Sequence, residues 1–336
     1  MQDILIHLFP FANIELKQSL LLVNKKLSQL RFKDFIEDDI SQHILKHKGY
    51  VNVELYNKIQ NNIKYIQQFR GDFNLTSRRL YIMNIYMEYF DLTGLVNLRD
   101  LHLHSNDLQN VNLNSLIDLE ILFIYYNKLQ SIDLSNLMKL KQLYLYKNKL
   151  QSLELCALLN LKELNLSYNQ LQNIALISLI NLSFLNLSNN QLQNINLTGL
   201  INLKELWISH NQLQNIDLTG LIDLEYLNLS YNQLQNINLT SLINLEIFNI
   251  SENKLQSIDL SNLNKLTKLY LYGDQLQNID LTGLINLEIL DISENKLQNI
   301  KLTHLIKLTE LYIKNNPLTK ECINYINSLN IEYFVI

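Results

Sequence analysis

The chain is predicted to fold as an α/β solenoid: a parallel β-sheet with one short strand per coil, and a helical element at each end. Three observations predict it. First, asparagine recurs every 21 residues, at Asn106, Asn127, Asn148, Asn169, Asn190, Asn211, Asn232, Asn253, Asn295 and Asn316, with Asp274 in the remaining slot. Self-similarity at a fixed short period means stacked units that bury their apolar faces only against one another. Second, the residues around each asparagine follow L-x-x-L-x-L-x-x-N-x-L-x-x-I-x-L-x-x-L, as in Leu203–Leu221. Third, 47% of the 336 residues are hydrophobic while only 2 are proline and 7 glycine, so the repeat has apolar material for a continuous core.

Each element follows from the letters. In Leu206-Trp207-Ile208 the order is apolar, variable, apolar, which is a short strand with one face inward. The asparagine that closes the strand both donates and accepts, so it can satisfy turn backbone groups that burial would otherwise orphan. A column of such residues should form a ladder, and Asp274, which lacks the amide donor, should mark its weakest coil. The stretch after it, such as Leu213–Leu218, returns the chain to the next strand. A 21-residue period leaves too little chain for a full helix per coil, so extended or 3₁₀ segments are expected there. Residues 77–97 keep the apolar positions but place Ile85 in the asparagine slot, reading as a degenerate first coil. Beyond Pro317, Thr319–Leu329 reads as a capped helix and Ile331–Ile336 as a last strand.

These repeats resemble the leucine-rich repeat family, in its short, helix-poor form, over residues 77–318. The resemblance implies a horseshoe with a parallel concave sheet, a non-catalytic protein-binding role and a C-terminal cap at 319–336. Before the repeats, Asp3–Leu30 resembles an F-box. An apolar run (Ile4, Leu5, Leu8, Phe9) is followed by a polar break, then Leu16 and Leu20, then Val23 and Leu27. Leu27 stands where that family usually has tryptophan, and its opening Leu-Pro pair is absent. The resemblance implies that residues 1–36 dock a Skp-family adaptor of a cullin–RING ubiquitin ligase, making the chain a substrate receptor. The alternative is a stand-alone scaffold or regulatory protein, or a pathogen effector, with the N-terminus only a cap. Residues 37–76, with Leu55, Ile59, Ile63 and Ile66 at helical spacing, read as a helical linker.

The repeat supplies its own reference for locating a partner surface. Where the outward strand residue is Asn or Asp in Asn165, Asn186, Asn228, Asn249 and Asp291, it becomes His102, Phe123, Tyr144, Trp207, Tyr270 and Tyr312 elsewhere. Two positions on, a serine column gives way to His104, Tyr125, Tyr146 and Tyr272. With Tyr126 and Tyr226, these residues predict an aromatic binding face, because exposed Tyr and Trp bury area at low entropy cost. Two patches are expected, one around Phe123, Tyr125, Tyr126, Tyr144 and Tyr146, the other around Tyr270, Tyr272 and Tyr312, with Trp207 and Tyr226 between.

Composition narrows the partners. A net charge of -4 argues against a nucleic-acid or anionic-membrane binder. No apolar run is long enough to span a bilayer. Cys156 and Cys322 carry no disulfide framework, zinc spacing or activating motif. No glycine-rich phosphate loop occurs. The expectation is a monomeric, cytoplasmic protein (in the host cytosol for an exported effector), with no cofactor or metal and no enzymatic activity.

Overall fold

The computed structural model describes residues 78–81, 92, 95–329 and 331–336. The F-box-like segment 1–36, with Ile4, Leu5, Leu8, Phe9, Leu16, Leu20, Val23 and Leu27, and the linker 37–76 lie outside them. The chain divides into two compact units, Met1–Lys149 and Leu150–Ile336. In the first, β1 (Arg79–Tyr81), β2 (Asp100–His102), β3 (Ile121–Phe123) and β4 (Gln142–Tyr144) pair in sequence order, all parallel. The second holds β5 (Glu163–Asn165), β6 (Phe184–Asn186), β7 (Glu205–Trp207), β8 (Tyr226–Asn228), β9 (Ile247–Asn249), β10 (Lys268–Tyr270), β11 (Ile289–Asp291) and β12 (Glu310–Tyr312). These too pair in order and in parallel, followed by α1 (Lys320–Asn327) and β13 (Tyr333–Val335), which pairs with β12.

From β1 to β4 and from β5 to β12, every paired residue sits one period from its partner, as in Leu185↔Leu206 and Leu206↔Leu227. Register therefore follows from the sequence period alone: a slip by one residue would turn every strand leucine toward solvent. The central residue of each strand from β2 to β12, for example Leu122, Leu206 and Leu290, is fully buried. Phe248 takes this position in β9 and is the largest of the fully buried side chains.

The asparagine column forms the expected ladder. Asn211 illustrates it: Nδ2 donates to the carbonyls of Ile208 in its own coil (3.2 Å) and Leu187 in the coil before (3.0 Å), while Oδ1 accepts from Leu192 N–H (3.0 Å). From Asn127 to Asn316 each asparagine thus satisfies backbone groups of two coils at once. The residue before it adopts a left-handed conformation, from Ser105 (φ 58) to Asn315 (φ 57), so that the strand can turn into the loop. Among the described residues only one coil uses glycine there, Gly273 (φ 72).

The return stretches, expected to be extended or 3₁₀, hold no 3₁₀ helix among the described residues. Each closes with a pair of isolated β-turns. In one coil Leu200 N–H bonds to Leu197 C=O (3.2 Å) and Leu203 N–H to Leu200 C=O (3.1 Å), with no bond between. Three buried leucines three residues apart pull each turn onto the core, and one bond per turn is all the spacing allows. Asp or Asn two residues before a Ser or Thr caps the first turn, as Asp217 Oδ1 does for Thr219 N–H (2.9 Å).

The C-terminal reading holds. Thr319 Oγ1 caps α1 by accepting from Cys322 N–H (3.2 Å), and Cys322 and Ile326 are buried beneath it. Tyr325 Oη accepts from Leu302 N–H (3.0 Å), which pins the helix to the last coil. Among the described residues no helix is long and apolar enough to cross a membrane.

Candidate functional site

Alternation along each strand aims its first and third residues away from the leucine core, half-buried among their neighbours on the sheet face. In the first unit the third residue of β2, β3 and β4, and the residue two further on, are all rings. His104, Tyr125 and Tyr146, one per coil, stack face to face: 4.2 Å at 7° between the first pair and 4.3 Å at 9° between the second. Beside them runs a second column, His102 to Phe123 (4.4 Å) and Phe123 to Tyr144 (4.5 Å), with rings tilted by 59° and 58°. The coil spacing of a parallel sheet, about 4.8 Å, explains why rings repeated every coil meet. Tyr126, at φ 54, stands edge-on to Tyr146 (5.5 Å) and lies under Lys147 Nζ (4.4 Å to the ring centre).

The electrostatics of the patch favour neutral rings. Burial, helped by the neighbouring His102, lowers the His104 pKa to about 4. Burial and the adjacent Tyr125 raise Tyr146 to about 12, and burial raises Tyr125. His102 Nε2 pairs with Asp100 Oδ1 at 2.7 Å. At neutral pH the His104–Tyr125–Tyr146 column is thus an uncharged aromatic platform edged by hydroxyls. Tyr125→Ala uncovers one face of the His104 ring, so its pKa should climb from about 4 toward 6.5. Proton NMR titration reads this directly, and an unmoved value would mean that the stack does not desolvate His104.

In the second unit the expected residues divide. Trp207 stacks on Tyr226 (4.1 Å, 20°), and its Nε1 lies 3.3 Å from Glu205 Oε2. The pair is diagonal, third residue of β7 to first residue of β8, and burial raises Tyr226 to about 12. The second patch does not assemble. Asp291 of β11 stands between Tyr270 and Tyr312 in the column, and Tyr312 packs instead against Tyr333 of β13 (5.6 Å, 56°). Tyr272 lies beside Glu294 and Glu252, which raise its pKa.

Sequence reasoning passed over one feature. His210 and Tyr231 stack at 4.2 Å and 9°, both in the left-handed slot before the ladder asparagine; a column of that slot would have paired them. The Asn-x-Ser triplets have a local structural explanation. Asn165 Oδ1 accepts from Ser167 N–H (3.1 Å) and Oγ–H (2.8 Å), capping the strand exit. Asn228 does the same for Ser230. Among the described residues no group of three or more His, Cys, Asp or Glu is placed to hold a metal ion.

Comparison with known proteins fits this geometry. The Leucine Rich Repeat family model matches residues 160–180 and 223–245. Among solved structures, the chain is similar to a leucine-rich repeat protein of Leptospira interrogans at 26% identity and TM-score 0.75, over 78% of this chain and 73% of that one. It is similar to the internalin InlF of Listeria monocytogenes at 26% identity and TM-score 0.67, over 76% and 79%. It is also similar to a chain of the octameric complex of Latrophilin 3, Unc5D and the leucine-rich repeat part of FLRT2, at 27% identity and TM-score 0.64, over 74% and 87%. No curated protein matches the chain in sequence. The coils are leucine-rich repeats, and the fold is that of a protein–protein interaction module.

Proposed function

We propose that this chain is a non-catalytic protein-binding module that captures a target protein on its sheet face, centred on His104, Tyr125 and Tyr146. One observation carries the reading: three rings in successive coils stack into an uncharged platform where most coils of the second unit carry serine. Stacked rings brace adjacent strands, but bracing alone does not call for Tyr126 to stand exposed beside them. Trp207 and Tyr226 form a second anchor of the same kind. In a full-length bait experiment, Tyr125→Ala/Tyr146→Ala should lose the proteins that the wild type captures while the solenoid stays folded. Retention of all of them would move the binding face elsewhere.

The role of the module rests on the resemblance of Asp3–Leu30 to an F-box. In this reading that segment docks a Skp-family adaptor in the cytosol while the sheet face holds the target, raising its effective concentration at the ubiquitin carrier. Purified full-length protein should bind a eukaryotic Skp-family adaptor, and Leu8→Asp/Leu20→Asp should abolish this without unfolding the solenoid. Binding absent in the wild type, or kept in the variant, removes the ligase link and leaves a stand-alone scaffold.

A further inference from the structure

Off the sheet face, several carboxylates pair with a lysine one coil away. Asp107 meets Lys128 at 2.8 Å, Glu120 meets Lys141 at 2.6 Å and Glu225 meets Lys204 at 2.7 Å. On the face and its left-handed edge from β9 to β12 stand Glu252, Asp291, Glu294 and Glu310, and among the described residues none of them makes an ion pair. One coil to either side of Glu252 are Tyr231 and Gly273; of Asp291, Tyr270 and Tyr312; of Glu294, Gly273 and Asn315. The bonds they accept come from neutral donors: Ser293 N–H to Asp291 Oδ1 (3.0 Å), Asn315 Nδ2 to Glu294 Oε1 (3.3 Å) and Tyr312 Oη to Glu310 Oε2 (3.0 Å). Lys268 and Lys314 lie on the same part of the face, so four carboxylates stand against two ammonium groups.

Tyr272 sits among these carboxylates with no ring against it. In the first unit the same position holds Tyr125, whose two ring faces are covered by His104 and Tyr146 at 4.2 and 4.3 Å. Tyr272 has Ser251 and Ser293 in those places and makes no ring contact among the described residues. Ser251 is 6% and Ser293 8% exposed, against 6% and 7% for Ser188 and Ser209, which have serines on both sides; the Tyr272 ring therefore covers neither. Glu252 and Glu294 flank it, one coil before and one after, and both act on its hydroxyl. Between them Gly273 leaves the left-handed slot bare. A Cβ there would come within 2.9 Å of the Glu252 carboxyl carbon, so glycine lets that carboxylate lie beside Tyr272. Tyr270 repeats the arrangement, with Glu310 and Asp291 near it.

We propose, on the footing that the sheet face captures a target protein, that its end from β9 to β12 takes arginine side chains of that target, one guanidinium lying flat on Tyr272 and held by Glu252 and Glu294. A planar cation answers each feature of the site. Its charge supplies the ion-pair partner that the four carboxylates lack. Its flat face suits a ring whose neighbours are serines, at the 4.2–4.3 Å that separates the stacked rings of the first unit. Its N–H groups reach a carboxylate beside the ring two at a time. A lysine ammonium brings the charge without the plane. Asp291, which keeps Tyr270 and Tyr312 from forming a ring patch, gives Tyr270 the same charged neighbour.

Isothermal titration calorimetry of the full chain at low salt tests this with two octapeptides, one alternating glycine and arginine, the other glycine and lysine. The wild type should bind the arginine peptide at least about fivefold more tightly than the lysine peptide. Tyr272→Ser, which keeps every charge, should weaken arginine-peptide binding at least about fivefold, and Glu252→Gln/Glu294→Gln at least about tenfold. Tyr125→Ala/Tyr146→Ala should leave it unchanged, so this site and the aromatic column are read apart. Bait capture that depends on the column, with no arginine-peptide binding, removes this site alone; arginine-peptide binding that depends on Tyr272, with capture indifferent to the column, removes the column alone. No binding by the wild type, equal binding of the two peptides, or indifference to Tyr272→Ser overturns the arginine site.

Discussion

Asp274→Asn should stabilise the protein at neutral pH, and by more at pH 8 than at pH 4. Asp274 occupies the ladder slot of its coil and is only 6% exposed. Its Oδ1 accepts from Leu255 N–H (2.9 Å), as those of the other ladder residues from Asn127 to Asn316 do from their own partners. That leaves Oδ2 in the amide nitrogen's place, buried with no hydrogen-bond partner. Burial is the main cause that lifts its pKa from 3.8 to about 7, with Glu252 adding repulsion and the backbone bonds from Leu255 and Asn253 opposing it. The folded pKa lies above the unfolded one, so the stability linked to this group is complete below pH 3.8 and declines as pH rises to about 7. The full swing corresponds to roughly 4 kcal/mol as an upper bound. Asparagine restores the donor and removes the titration. Urea unfolding of both proteins should give near-equal midpoints at pH 4 and a variant more stable by about 2 kcal/mol at pH 8. A gap that is absent at pH 8, or equal at both pH values, would show that the Oδ2 site is solvated.

The opposite change should do the most harm. Asn211→Ala removes three donated bonds, to Leu187, Ile208 and Ser209, and the acceptor for Leu192 N–H. Asn211 is 8% exposed, so water reaches these groups poorly. The expected loss is about 3–5 kcal/mol, because orphaned buried backbone groups lose their partners without gaining solvent. Each coil rests only on its neighbours, so the unfolding curve should also broaden or split at this coil. The exposed Asn194→Ala, in the preceding coil, should shift stability by less than about 0.5 kcal/mol. Equal effects at the two positions would mean that the ladder contributes no more than any surface amide.

The asparagine ladder was legible because it depends on one residue type at one spacing. A ring, by contrast, has a column in the sequence but no direction. His104, Tyr125 and Tyr146 lie parallel, while His102, Phe123 and Tyr144, one strand position away, are tilted. The second expected patch failed for a countable reason: Asp291 falls in the coil between Tyr270 and Tyr312. Tyr333, which takes up Tyr312, lies past the last repeat, where the period no longer predicts neighbours.

The sequence by itself determined the period, the parallel register, the leucine core, the ladder and its flaw at Asp274. All of these follow from which residue recurs one coil away, and coil neighbours are set by counting. Only the tertiary structure decided the rest: that Trp207 crosses to Tyr226, that the return stretches close in paired turns, and that isoleucines such as Ile201 lie in water. Those outcomes depend on side-chain torsions and on the path of a turn over the leucines beneath it. The same apolar letter is buried at Leu158 and exposed at Leu159, and the backbone's course between them makes the difference.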